Sequence, residues 1–94
     1  PLVSDSEAKV LLLELDGWVI ENDSGINQLI KTYKFSNYAE SLDFSNKVAD
    51  LAESEDHHPK IVLEYGSVEV SWWSHKIKGL HKNDFICAAK TDLI

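Results

Sequence analysis

The stretch from Lys60 to His75, KIVLEYGSVEVSWWSH, constrains this chain more than any other. Apolar and polar residues alternate on both sides of Gly66-Ser67, the pattern of an antiparallel hairpin. A glycine-led pair suits a type II′ turn. Centred there, the turn sets Tyr65 opposite Val68, Leu63 opposite Val70 and Ile61 opposite Trp72. Ile61, Leu63 and Tyr65 then share one face with Val68, Val70 and Trp72. Continued outward, Pro59 faces Ser74 and His58 faces His75, and directly opposed residues lie about 4.5–5.5 Å apart. His57, His58 and His75 are thereby expected around one point at the open end of the hairpin, with Glu53, Glu55 and Asp56 close by. The same register opposes Glu64 to Glu69, a mild repulsion that a solvated face tolerates.

The remaining elements are legible in outline. SDSEAKVLLLEL, Ser4 to Leu15, opens with capping and acidic residues and continues in helix formers. Its apolar set (Val10, Leu11, Leu12, Leu13 and Leu15) is wider than one buried stripe needs, so a second surface is expected to cover part of it. Asp16-Gly17 reads as a turn, Trp18 to Ile20 as a short strand, and ENDSG as a second turn. INQLIKTYKF reads as a strand with Leu29, Tyr33 and Phe35 on one face. Asn37 with Glu40 three residues on marks a helix start, and the helix runs from Tyr38 to about Glu55. Its expected buried side is Leu42, Val48, Ala49, Leu51 and Ala52, and Pro59 marks its stop. HKNDFICAAKTDLI reads as a final helix burying Phe85, Ile86, Ala89 and Leu93. The order α-β-β-α-β-β-α predicts an α+β fold: a four-stranded antiparallel sheet with three helices packed on one face.

Ninety-four residues make one domain over 1–94, and 44% hydrophobic residues are ample for a globular core. A net charge of −7 with no basic cluster argues against direct nucleic-acid binding. The single cysteine, Cys87, cannot form an intrachain disulfide, and no apolar run is long enough to span a membrane. A cytoplasmic location is expected, with a nuclear one left open.

Adjacent histidines at a helix end are more often structural than chemical, because the helix dipole favours them there. The arrival of His75 turns that balance towards a site. Three imidazoles and a carboxylate would also suit zinc, but neighbouring histidines in extended chain point apart and no spaced Cys or His run supports a closed centre, so no metal is expected. Trp73, on the face opposite Trp72, is placed to flank a planar ligand or a partner subunit. Asp84 complements the last helix's dipole and is also placed to orient an imidazole. Cys87 reads as packing and His81 as a surface residue at the start of that helix.

These residues together resemble the pterin-4a-carbinolamine dehydratase family. The pattern is an acidic residue (Glu53 or Asp56), then His57-His58-Pro59, an aromatic at Tyr65, His75 and Asp84. Gly17-Trp18, KVADLAESEDHHP and SHKIKGLHKND resemble the family as well, so the similarity spans most of the chain. It departs at Ile61 and Val62, where an aromatic is frequent, and at Lys76, where an acidic residue is common. His81 replaces the usual Ser or Thr cap, a change expected to weaken the cap by about 1 kcal/mol or less.

The resemblance implies a lyase that dehydrates 4a-hydroxytetrahydrobiopterin to quinonoid dihydrobiopterin, in recycling of the tetrahydrobiopterin used by aromatic amino-acid hydroxylases. It implies no cofactor, since losing water needs no redox partner. His57 and His75 would form the acid–base pair, in an order the resemblance leaves open, and His58 would chiefly position substrate. Asp84 would hold His75. Glu53 and Asp56 would support the site or bind the donor-rich edge of the pterin, with Pro59, Trp73 and Ser74 alongside. A homodimer or homotetramer is implied. So is an alternative role: family members in animals serve as dimerisation cofactors for a homeodomain transcription factor, which would make a protein partner of this chain.

Overall fold

Each helix begins where the sequence supplies a side-chain acceptor. In the computed structural model, which describes all of residues 1–94, the Ser4 hydroxyl accepts the Glu7 amide at 3.1 Å and starts helix α1, Asp5–Leu12. Glu7 closes the capping box on the Ser4 amide. Asn37 accepts the Glu40 amide at 2.9 Å and starts α2, Tyr38–Glu55; the Glu40 carboxylate turns instead to the Ser36 amide. His81, expected on the surface as a weak substitute, is itself the cap of α3, Lys82–Thr91. Its Nδ1 accepts the Asn83 amide at 3.2 Å.

Strands β1 (Val19–Asp23), β2 (Ile26–Lys34), β3 (Lys60–Glu64) and β4 (Ser67–Trp72) form one antiparallel sheet in the order β1-β2-β4-β3. The expected element order and fold class are those observed. The first strand starts later and runs longer than expected. Ser24 and Gly25, with φ of 53° and 86°, form the tight turn into β2, the left-handed pair that a type I′ hairpin requires. Trp18 lies outside the strand, buried, with its indole N–H donating to Asp92 at 3.0 Å.

The β3–β4 hairpin differs from its expected register by two residues. Glu64 pairs with Ser67, Leu63 with Val68 and Ile61 with Val70, so the two-residue loop is Tyr65-Gly66 rather than Gly66-Ser67. Neither loop residue has positive φ, so the turn is not type II′. The tip is held from outside the hairpin: the Phe35 amide donates to the Gly66 carbonyl at 2.9 Å. A shift of two preserves which face each side chain takes, because strands repeat every two residues. It also removes the expected Glu64–Glu69 clash, since Glu69 pairs with Val62. Tyr65, expected on the inner face, sits in the turn with 69% of its surface exposed.

The helices cover the face carrying Leu29, Val68, Val70 and Trp72, all fully buried. Val48 and Ala52 in α2 and Phe85 in α3 are buried as expected, with Leu51 packed on the core, but both helices are rotated from the expected side. In α2 the buried row is Ser41, Phe44, Ser45, Val48 and Ala52, while Leu42 and Ala49 face solvent. In α3 it is Asp84, Phe85, Cys87, Ala88 and Thr91, while Ile86, Ala89 and Leu93 face solvent. In both cases a buried polar group sets the rotation. Ser41 Oγ donates to the Tyr65 carbonyl at 3.1 Å, and the Trp72 indole donates to Thr91 Oγ1 at 3.1 Å. In α1, Ala8 is buried but Val10 and Leu13 are exposed, as the width of that apolar set required. No helix is long and apolar enough to cross a membrane.

Candidate active site

The site forms where α2 hands over to β3 and β4 hands over to α3. Helix α2 stops at Glu55 because Asp56 adopts the left-handed conformation, φ 49° and ψ 43°. The His57 amide then reaches back to the Ala52 carbonyl at 3.1 Å, the six-residue closure of a Schellman-type ending. The helix thus ends at Glu55, four residues before Pro59, by its own cap and not by the proline. This reversal aims His57 and His58 at the end of the sheet. Past Trp72, Ser74 and Gly79 exchange backbone hydrogen bonds at 2.8 and 3.4 Å, pinching residues 75–78 into a short loop. Between these two segments lies an open recess of about 520 Å³, lined by Asp56, His57, His58, Ser74, His75 and Lys76.

Successive tryptophans at the end of β4 point to opposite sides, and each holds one histidine. The His57 ring stacks on buried Trp72, centroids 5.5 Å apart and planes 13° apart. The His75 ring lies on half-buried Trp73 at 4.4 Å. The hairpin register therefore does not set His58 opposite His75, as expected, yet it still delivers three imidazoles to one recess. Their closest tie is His75 Nε2 to the His58 carbonyl oxygen, 3.0 Å.

Each of the three imidazoles at the recess has Nε2 engaged with an acceptor. His57 Nε2 lies 2.5 Å from Asp84 Oδ1, and His58 Nε2 lies 2.5 Å from Glu53 Oε2. A carbonyl can only accept, so His75 carries its proton on Nε2, and carboxylates impose the same on His57 and His58. In each neutral ring Nδ1 is then the basic nitrogen. Asp84 was expected to hold His75; it holds His57. The reason is the loop. Residues 75–78 project beyond the Ser74–Gly79 pinch, while Asp84 lies beneath it, fully buried on the inner side of α3. There Asp84 Oδ2 accepts the Ser74 hydroxyl at 2.8 Å and the His81 amide at 2.9 Å. A buried carboxylate with three donors is well compensated.

The other expected residues divide. Glu53 supports His58 from outside the recess, in a pair exposed on both sides, and Asp56 lines the recess. Glu55 turns away to Lys90 at 2.8 Å. Trp73 stacks under His75, whereas Pro59 only leads into β3 and is not part of the lining. Sequence reasoning missed the stacking role of Trp72. It also missed the capping box joining His81 to Asp84, although an acceptor followed three residues later by a carboxylate signals one. No group of three or more His, Cys, Asp or Glu side chains is arranged to hold a metal ion.

Comparison with known proteins agrees with this architecture. A protein from Saccharophagus degradans, provisionally named a pterin-4-alpha-carbinolamine dehydratase, is 60% identical over 92 residues, covering 98% of this chain and 81% of that protein. One from Vibrio vulnificus with the same provisional name is 59% identical, covering 98% and 84%. Among solved structures, the transcriptional coactivator/pterin dehydratase from Brucella melitensis superposes with a TM-score of 0.87 at 28% identity, covering 99% of this chain and 97% of that one. A pterin dehydratase-like protein described as a RuBisCO assembly factor in the alpha-carboxysome shares the fold, with a TM-score of 0.69 at 22% identity over 83% of this chain and 88% of its own. The family model described as pterin 4 alpha carbinolamine dehydratase matches residues 1–94. This chain therefore belongs to the pterin-4-alpha-carbinolamine dehydratase family.

Proposed function

We propose that the recess dehydrates 4a-hydroxytetrahydropterins, 4a-hydroxytetrahydrobiopterin among them, by histidine acid–base catalysis. The observation that carries this reading is the set of three imidazoles lining one recess, each with Nε2 committed to an acceptor and Nδ1 uncommitted. In the reaction the C4a–O bond breaks, the departing hydroxyl takes a proton to leave as water, and N5 loses its proton as the C4a–N5 double bond forms. One group must give a proton and another must take one, and imidazole does either near neutral pH.

The partners suggest how the roles divide. An imidazolium at His57 is compensated by the buried Asp84 carboxylate, so His57 is assigned as the acid. His75 meets only a neutral carbonyl and is assigned as the base at N5. His58, tied to exposed Glu53, positions the substrate, and Asp56 receives the donor-rich pyrimidine edge. Trp73 supports His75 from behind, and Ser74 acts through Asp84. The product returns tetrahydropterin cofactor to use once a reductase acts on it.

The test is decay of 4a-hydroxytetrahydrobiopterin, followed by absorbance, with wild type, His57→Ala and His75→Ala. Losses of about 10²-fold or more in each variant are expected. Equal rates for wild type and both variants would remove catalysis from this recess.

A second reading has its own support. The Brucella melitensis neighbour carries both a coactivator and a dehydratase description, and Val10 and Leu13 leave an apolar strip of α1 uncovered here. A homodimer or homotetramer, or a protein partner of the coactivator kind, would cover it. Retained partner binding by a catalytically dead His75→Ala protein would establish that role as separate from turnover.

A further inference from the structure

The recess carries two opposite charges that do not meet. One wall, residues 56–58, brings Asp56; the other, residues 74–76, brings Lys76. Ion pairs join Lys31 to Asp92, Lys47 to Asp43 and Lys90 to Glu55, but none involves Asp56 or Lys76. The other carboxylates near the site are occupied, Glu53 by His58 and Asp84 by His57. Of the nine basic residues, all lysines, Lys76 alone lines this recess. Lys78, two residues on, has φ 54° and lines a separate recess with Leu2, Asp5 and Asn27. The loop is pinned at its base by the Ser74–Gly79 pair, so the origin of the Lys76 side chain is fixed beside the histidines.

Charges of opposite sign on facing walls suit a ligand that is donor-rich at one end and anionic at the other. A pterin has donors along its pyrimidine edge, and its C6 substituent points away from that edge. In a chain of net charge −7, a lone ammonium at the site works against a general repulsion of anions. A neutral substituent would gain little from it.

We infer that Lys76 is a specificity-determining residue that selects pterins whose C6 substituent carries a carboxylate or a phosphate. The inference rests on the dehydratase reading for its reaction but not for its binding, and the two are tested apart. Turnover is compared for 4a-hydroxytetrahydropterins with a neutral dihydroxypropyl, a phosphorylated and a glutamylated substituent, using wild type, Lys76→Gln and Lys76→Glu. The ratio of kcat/KM for an anionic over the neutral substrate is expected to fall about fivefold in Lys76→Gln and further in Lys76→Glu. Raising the salt should shrink the wild-type ratio and leave that of Lys76→Gln nearly constant. The phosphorylated and glutamylated arms show which anion is preferred.

Binding is read independently by calorimetry with three stable probes: pterin-6-carboxylate, 6-hydroxymethylpterin phosphate and neutral 6-hydroxymethylpterin. A preference for the anionic probes that disappears in Lys76→Glu supports the inference even if no substrate turns over, in which case only the dehydratase reading fails. Turnover with the same substrate ratio in all three proteins, or equal binding of all probes to wild type and Lys76→Glu, overturns it.

Discussion

Asp84 Oδ1 lies 2.5 Å from His57 Nε2, while His75 has the His58 carbonyl as its one hydrogen-bond partner. The pairing makes Asp84 and His57 one unit. Asp84→Asn keeps the shape but removes the charge that compensates an imidazolium, and kcat is expected to fall about 10²-fold. Adding Asp84→Asn to His57→Ala should cost little more, because the residues act together. Added to His75→Ala it should multiply the loss. Rates from the two double mutants check this; non-additivity with His75 instead of His57 would reverse the assignment.

Cys87 is fully buried in α3, and burial, aided by the negative charges of Glu55 and Asp84, pushes its thiol up to about 11, with Lys90 acting in the opposite sense. The thiolate is the nucleophile, so the folded protein should resist thiol reagents at pH 8. Labelling with a disulfide reagent should then follow opening of the chain and accelerate in urea below the unfolding midpoint. Rapid stoichiometric labelling of the native protein would show that α3 does not seal the thiol.

The outline of fold and site was legible because both rest on local signals. Alternation in KIVLEYGSVEVSWW gave the inward-facing set except for Tyr65, and His57-His58 next to a helix end marked where the recess lies. Register was less legible. The tip of the β3–β4 hairpin is held by the Phe35 amide on the Gly66 carbonyl, a contact from the residue after β2 and distant in sequence. Helix rotation was legible only in part, at Val48, Ala52 and Phe85, for a related reason. Hydrophobicity assigned Ile86 and Leu93 to the core, but Asp84 and Thr91 are buried in their place, because His57, Ser74 and Trp72 supply donors to them. The pairing of Asp84 with His57 came from the same tertiary source.

Asp92 gathers three donors at the end of α3: Trp18 Nε1 at 3.0 Å, Lys31 Nζ at 2.8 Å and Tyr33 Oη at 2.5 Å. Burial works to raise its carboxyl pKa, but the hydrogen bonds from Lys31, Tyr33 and Trp18, with the charge of Lys31, outweigh it and hold the group below its ordinary value. A folded pKa below the unfolded one means the unfolded chain takes up the proton first on acidification. The stabilisation is therefore complete above about pH 4 and is lost as pH falls through the lower folded value. Tyr33 runs the other way. Burial first, then the hydrogen bond to Asp92 and its charge, raise the phenol, so its contribution is complete below about pH 10 and declines above that. Urea midpoints should place Asp92→Asn about 1–2 kcal/mol below wild type at pH 6, with the gap closing towards pH 2. A gap that stays constant with pH would mean that the charge of Asp92 is not what holds the cluster.

The two hairpin glycines should respond differently to alanine. Gly25 has φ 86° in the β1–β2 turn, a region costly for any residue with a Cβ, although nothing lies within 4 Å of where that atom would sit. Gly25→Ala is expected to cost about 1 kcal/mol or more from backbone strain alone. Gly66 has no positive φ, and an added Cβ would meet only the Phe35 carbonyl oxygen at 3.4 Å, ordinary contact. Gly66→Ala should therefore shift stability by less than about 0.5 kcal/mol, and fewer unfolded conformations could make the change favourable. A II′ turn centred on Gly66-Ser67 would demand positive φ at Gly66 and reverse this expectation. Denaturant midpoints of the two variants thus report the β3–β4 register in solution, and a larger loss at Gly66 than at Gly25 would contradict the Glu64–Ser67 pairing.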